Sequence, residues 1–229
     1  MSQIRKDMFS GEWVIFASNR KDKPYNYKRG AKMEENNKSV CPFCPENESM
    51  TPPAVFELKN EGGWEIRVFD NLYPALSLNS FERDFDTFYE SHDGCGIHEV
   101  VVDTPEHTMD ITDETDKHFL RLFGVLIERL EKIRNNEKVE YVQIFKNNGP
   151  YAGASISHSH WQIMGVPILT SEQKAAFEVF EEYKKSKNRC IMCDMVEHEK
   201  ASQTRLIDEN EHFVSLAPYA SRQSFEMWI

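Results

Sequence analysis

The sequence has no apolar run long enough to span a bilayer, and its first residues, MSQIRKDMFSGEW, contain no apolar signal region. Both absences predict a cytoplasmic protein with no membrane partner. Positive charge is also short. Lys and Arg number 27 against 38 Asp and Glu, a net charge of −11, so nothing favours a nucleic-acid backbone or an anionic membrane surface as the main partner. A site for an anionic substrate must therefore make its own local positive potential, from a metal, loop amides or a few Lys and Arg. Low-complexity segments are lacking too. Cysteines are few and odd in number, five in 229 residues, and four of them form two C-x-x-C pairs. In a reducing cytosol that pattern points to metal or redox use rather than structural disulfides. What is present is ordinary for a globular chain: 40% hydrophobic and 28% charged residues, enough to bury a sizeable core.

Local patterning predicts a succession of short strands with few helices. Trp13–Ala17, Trp64–Phe69, His98–Asp103 and Tyr141–Phe145 read as strands. Lys21–Lys38 and Ser77–Asp93 read as loops, and Cys41-Pro-Phe-Cys44-Pro45 as a tight knuckle. Asp113 is the expected N-cap of a helix whose Phe119, Leu122, Phe123, Leu126, Leu130 and Ile133 recur at helical spacing, with Asn135-Asn136 ending it. Thr170-x-x-Gln173 resembles a capping box opening a charged helix to about Lys185. A linker at 186–189, a polar stretch after Cys190-Ile-Met-Cys193, and strands near His212–Leu216 and Phe225–Ile229 complete the chain. The C-x-x-C pairs each precede charged residues and an apolar strand, at 41–69 and 190–216, a faint internal echo of two related halves.

The chemistry concentrates in FKNNGPYAGASISHSHWQIMG, Phe145 to Gly165. Strand residues two apart share a face. A strand here would put His158, His160 and Gln162 in one polar row, entered through a Gly-rich loop carrying Asn147, Gly153 and Ser155. Loop amides can cradle an oxyanion, and an imidazole can serve as nucleophile or metal ligand. A half-buried strand with solvated histidines is the plainer reading of the same pattern. Cys41 and Cys44 can grip one metal, and zinc takes four Cys or His ligands. His107 and His158 are available, but spacing alone nominates them weakly, and a redox pair is the alternative. Cys190 and Cys193 form a second candidate pair, with only His198 and His212 nearby. Gln162 can donate an amide N–H to a phosphoryl oxygen but cannot act as an acid, which leans towards transfer rather than hydrolysis.

In order along the chain come R-K-D-x-x-x-G-E-W-V (5–14), C-P-F-C-P (41–45), N-L-Y-P-A-L (71–76), H-E-V-V-V-D-T-P-E-H (98–107) and N-N-G-x-x-A-G-A-S-x-S-H-S-H-x-Q (147–162). Together they resemble the galactose-1-phosphate uridylyltransferase branch of the histidine-triad superfamily, including its ADP-glucose phosphorylase relatives. The H-S-H-x-Q form is more similar to the latter. The resemblance implies an α+β fold of two histidine-triad-like halves, each an antiparallel sheet with helices. The expected division is a nucleotidylyltransferase domain over 1–168 and a helix, linker and partial second half over 169–229.

The resemblance also implies roles. His160 would take a nucleoside monophosphate covalently, and Gln162 would hold the phosphoryl group. Asn147, Gly153 and Ser155 would line the phosphate loop, and Asn71 would sit near the base or ribose. Zinc would be held by Cys41, Cys44, His107 and His158. The implied activity is nucleotidyl transfer between a nucleoside diphosphate sugar and a sugar 1-phosphate or phosphate, as in galactose metabolism, and relatives of this kind form homodimers, which leaves a homodimer open here. Past 186 the resemblance thins to Cys190, Cys193 and 211–229, so a complete second metal site is not expected. Two other readings stay open: a histidine-triad hydrolase of nucleotide conjugates, and a non-catalytic zinc-stabilised nucleotide-binding protein.

Overall fold

The computed structural model describes residues 2–22, 38–79, 88–109 and 111–229. Most of the expected loop at Lys21–Lys38, and the middle of the one at Ser77–Asp93, lie outside the described residues. The chain divides into two compact units, Met1–Thr170 and Ser171–Ile229, and the architecture is α+β with antiparallel sheets, as expected.

In the first unit, β1 (Ser2–Lys6), β2 (Trp13–Ala17) and β5 (Ser91–Asp93) form a small antiparallel sheet in the order β2-β1-β5. The main sheet contains β3 (Ala54–Asn60), β4 (Gly63–Asp70), β6 (Ile97–Val102), β7 (Tyr141–Phe145) and β8 (His160–Val166), in the order β3-β4-β6-β8-β7, with every pair antiparallel. One helix, α1 (Asp116–Arg134), supplies the cover for one face. Period-2 alternation sorts the side chains. Val101, Ile66, Val68 and Ile163 pack with Leu122, Val125, Leu126 and Ile133 of α1. Val100, Val102 and Phe69 point the other way and pack with Cys41, Phe43 and Cys44 of the knuckle. So the main sheet is buried on both faces, by a helix on one and by a cysteine knuckle on the other.

Helix α1 begins two residues later than its sequence pattern suggested. The N-cap is Thr115, whose hydroxyl accepts the His118 N–H at 3.2 Å, which is what an N-cap oxygen does for an otherwise unpaired donor. Residues Ile111–Asp113 form a separate short 3-10 turn. The buried stripe is Leu122, Val125, Leu126, Arg129 and Ile133, not the expected set: Phe123 is 49% exposed. The apolar count missed Arg129 because a charged residue seldom lines a core. Its presence is explained by Glu99, on the helix-facing side of β6. Arg129 Nε donates to Glu99 Oε2 at 2.9 Å and its second nitrogen to Oε1, with both side chains buried. Arg129→Met is expected to leave Glu99 buried and unpaired and to destabilise the first unit by about 3–5 kcal/mol. Chemical denaturation checks this, and the double variant Arg129→Met/Glu99→Leu should regain most of the loss.

The second unit holds α2 (Ser171–Lys187), α3 (Ile191–Ser202), β9 (Leu206–Glu209) and β10 (Val214–Leu216). The stretch after Cys190, expected to be merely polar, is helix α3. Tyr183 Oη donates to Asp194 Oδ2 at 2.7 Å, tying α2 to α3, while β9 and β10 form an antiparallel pair. The anticipated strand at Phe225–Ile229 reduces to one bridge, Leu216 to Trp228, made by two backbone hydrogen bonds of 2.9 Å. Among the described residues, no helix is long and apolar enough to cross a membrane.

Candidate active site and metal centre

The knuckle folds as a tight turn in which the Cys44 N–H donates to the Cys41 carbonyl at 3.2 Å, bringing the two thiols to one side. Asn47 braces it, its amide nitrogen donating to the Cys41 carbonyl at 2.9 Å. His107 arrives from the turn after β6 and His158 from the bend just before β8. The ligand atoms of Cys41, Cys44, His107 and His158 all lie within 4.8 Å of one another, and all four residues are buried. Cys44 Sγ is 3.2 Å from His107 Nδ1 and 3.5 Å from His158 Nδ1, and Cys41 Sγ is 3.7 Å from His158 Nδ1. Sequence spacing left these partners open; the fold gathers them.

The donor chemistry fits a metal. Opposite its thiol-facing nitrogen, His158 Nε2–H donates to the Thr104 carbonyl at 2.8 Å, the outer hydrogen bond that orients a ligating imidazole and leaves Nδ1 with its lone pair towards the thiols. Burial holds the His158 imidazole below its usual range, favouring the neutral form a ligand needs. Two buried thiols at one point are ill placed without a cation: burial, with the neighbouring Cys41, pushes Cys44 up to about 12. Sulfur and imidazole nitrogen together suit zinc better than an oxygen-seeking ion.

The structure revises the predicted polar row. Strand β8 starts at His160, so His160 and Gln162 share a face, whereas His158 belongs to the preceding bend. His160 is 8% exposed. Its Nδ1–H donates to the His158 carbonyl at 2.8 Å, which makes Nε2 the unprotonated nitrogen of the neutral ring. The Phe43 ring stands edge-on to it at 5.1 Å between centroids. Behind the motif, on the helix side of the sheet, the buried Asp103 carboxylate accepts from Lys146 (2.6 Å), Ser159 (2.9 Å) and the Trp161 indole (2.9 Å). These four residues pin the segment between the two histidines, and sequence reading passed them over.

The Gly-rich loop leaves β7 at Phe145 and enters β8 at His160, so it spans one end of the sheet beside the imidazole. Gly149 and Gly153 take positive φ, 76° and 84°, which glycine adopts freely. At Gly153 an added Cβ would stand 4.0 Å from the Asn147 amide nitrogen, so those two predicted residues are neighbours. Ser155 lies in the bend leading to His158. Asn71 joins the site through His98. The Asn71 N–H donates to the His98 carbonyl at 2.8 Å, its side-chain nitrogen is 3.2 Å from His98 Nε2, and that same Nε2 is 2.9 Å from Gln162 Oε1. His98 was read only as part of a strand. The signal that could have found it is parity: His98, Val100 and Val102 alternate onto the face that carries His160 and Gln162.

Cys190 and Cys193 are in the second unit, both exposed, with Cys190 as the N-cap of α3. Among the described residues no third ligating side chain forms a metal cluster with them. His198 and His212 are exposed.

A thiol–imidazole cluster seated under an antiparallel sheet, with a further histidine on the adjoining strand, defines a protein that places a buried metal-type centre against a separate imidazole. Residues 1–170 match the galactose-1-phosphate uridyl transferase N-terminal domain, and the chain belongs to that family. It is 34% identical to an ADP-glucose phosphorylase of Arabidopsis thaliana over 99% of this chain and 65% of the relative. It is 26% identical to a galactose-1-phosphate uridylyltransferase of Thermotoga maritima over 100% and 66%. A crystal structure of an Arabidopsis thaliana ADP-glucose phosphorylase with bound ADP-glucose superimposes with a TM-score of 0.67 at 29% identity, covering 96% of this chain and 65% of that one. The chain thus spans just under two thirds of the length of these relatives.

Proposed function

We propose that the protein is a nucleotidyltransferase that moves a nucleoside monophosphate between a nucleoside diphosphate sugar and a sugar 1-phosphate or inorganic phosphate. The observation that carries this reading is the 2.8 Å bond from His160 Nδ1–H to the His158 carbonyl. It fixes the tautomer in which Nε2 has the lone pair, on the strand face shared with Gln162, next to a glycine-rich loop. In the first half-reaction Nε2 attacks the α-phosphorus. The bond from that phosphorus to the bridging oxygen breaks, and the sugar 1-phosphate leaves with the electron pair. In the second, an oxygen of the incoming phosphate or sugar 1-phosphate attacks the same phosphorus, the P–N bond breaks, and the imidazole is regenerated. Gln162 donates an amide N–H to the phosphoryl oxygens as their charge shifts. The amides around Asn147, Gly153 and Ser155 supply further donors, and Asn71 lies towards the nucleoside.

Cys41, Cys44, His107 and His158 would hold zinc, which supplies structural closure of the knuckle. Family membership supports the transfer reading, since the named relatives are a uridylyltransferase and a phosphorylase of ADP-glucose. Glutamine at 162 favours transfer over hydrolysis, because it cannot deliver or remove a proton at the phosphoryl group. With it we propose a cytoplasmic location and self-association as a homodimer. Incubation with ADP-glucose and UDP-glucose, followed by intact-mass spectrometry, should give a covalent increment of one nucleoside monophosphate. The increment also identifies the base. An unchanged mass with both sugars would refute covalent transfer from these donors.

A further inference from the structure

We propose that His98 is a positioning residue that fixes which way round the Gln162 amide faces, through a tautomer imposed by the Ala75 backbone. The Ala75 N–H donates to His98 Nδ1 at 3.0 Å. A backbone N–H cannot turn round to become an acceptor, so Nδ1 must offer its lone pair. The neutral ring then carries its proton on Nε2. That nitrogen is 2.9 Å from Gln162 Oε1, so the bond runs from His98 Nε2–H to the Gln162 carbonyl oxygen. A primary amide fits an elongated slot either way round, and only one way satisfies this donor. With Oε1 committed to His98, the Gln162 NH2 group points away from it and is available to a phosphoryl oxygen. The reverse arrangement would face the His98 N–H with two amide NH2 groups, those of Gln162 and Asn71, and no amide oxygen.

Asn71, also beside this nitrogen, does not compete for the His98 proton. Asn71 Nδ2, at 3.2 Å from Nε2, is itself a donor, and Asn71 Oδ1 is held by the Tyr73 N–H at 2.9 Å. His98 is buried, and its carbonyl accepts the Asn71 N–H, so its ring is fixed along with its backbone. Register makes the contact: His98 pairs with Met164 and Val100 with Gln162 across β6 and β8, which sets His98 and Gln162 diagonally on one face, within reach of long side chains. The consequence is a relay of orientation, from Ala75 N–H to His98 to the Gln162 amide to the phosphoryl group. Its catalytic meaning rests on the reading of Gln162 proposed above.

Two measurements on the full chain test it. Long-range proton–nitrogen NMR of histidine-labelled protein should find His98 with Nδ1 unprotonated and Nε2 protonated, and a proton on Nδ1 would overturn the assignment whatever the protein catalyses. The second is a double-mutant cycle read as the rate of His160 nucleotidylation, with ADP-glucose and UDP-glucose as the probes. Gln162→Ala should slow it about a hundredfold. His98→Asn keeps an acceptor for Ala75 but cannot reach Gln162, and should slow it roughly tenfold. In the Gln162→Ala background, His98→Asn should add no further slowing. Independent, multiplying effects would show that His98 does not act through Gln162. A wild-type protein that forms no adduct would sink the nucleotidyltransfer reading alone, with the NMR result still deciding the His98 tautomer.

Discussion

The His160→Gly protein is expected to stay folded and keep its metal, yet to form no covalent nucleotide adduct and to lose transfer activity by about four orders of magnitude or more. The magnitude follows from the role. A residue that bonds to the transferred group is not readily replaced here, since Gln162 and Asn71 are amides and the His98 Nδ1 lone pair accepts the Ala75 N–H. The variant should keep the fold, because the sheet and the knuckle around the ring are held by contacts of their own. The ring's Nδ1–H donates to the His158 carbonyl, and its packing partner Phe43 also lies against Phe69 and His158. The His158 side chain keeps its own anchor on Thr104. Intact-mass spectrometry and metal content, measured on one sample, separate the two histidines. Persistent adduct in the glycine variant would move the nucleophile elsewhere. Loss of metal would mean that the division of labour between 158 and 160 is wrong.

The second large effect is expected from the knuckle. Stripping the metal, or replacing Cys44 by Ser, should cost on the order of 5 kcal/mol, a fall of about 10–20 °C in the melting of the first unit. The knuckle is the cover of a sheet face: Cys41, Phe43 and Cys44 pack on Phe69, Val100 and Val102, and without a cation their closure rests on packing alone. The pH dependence has a defined sign. In the metal-free protein the Cys44 thiol is raised from 9.0 to about 12. A thiol raised by folding contributes stability that is whole below pH 9 and lost as pH climbs towards 12. The metal-loaded protein should behave oppositely at the acid end, because binding requires the thiolate and releases its proton, so affinity falls as pH falls. Denaturation of both forms across pH, with a zinc-competition titration, checks both signs. A metal-free protein that melts at the same temperature as the loaded one would remove the structural role.

Much of this was legible from residue order, for identifiable reasons. Strands β2, β6 and β7 announced themselves because each is a short β-branched or aromatic run with turn signals at its ends. The knuckle was visible because two thiols and two prolines in five residues have few other uses. The metal partners were not legible from spacing, since His107 lies 63 residues from Cys44 and His158 lies 114 from it; only tertiary structure closes such distances. Arg129 escaped because a search for apolar spacing skips a charge, and Glu99 escaped because it looked like an ordinary strand carboxylate. Their pairing needs the knowledge that α1 crosses over β6. Helix α3 was missed because its larger apolar residues, Ile191, Met192, Met195 and Val196, crowd into its first half and the remainder reads as polar. The bridge at Trp228 was overcalled as a strand because aromatic content was read as β propensity without a pairing partner.

The short bond from His160 to the His158 carbonyl has an implication for how this site can change over generations. The atom that aims the His160 imidazole is the main-chain oxygen of the very residue whose side chain faces the thiols. No substitution at 158 can remove that oxygen, so the chemical tautomer is immune to side-chain drift there. A change in backbone course is another matter. One inserted or deleted residue between the two histidines would swing the second onto the opposite face of β8, towards Trp161 and the helix, while dragging the first from the thiols. The spacing of these two residues is therefore a single inherited unit, in which neither anchoring nor reactivity can wander without the other.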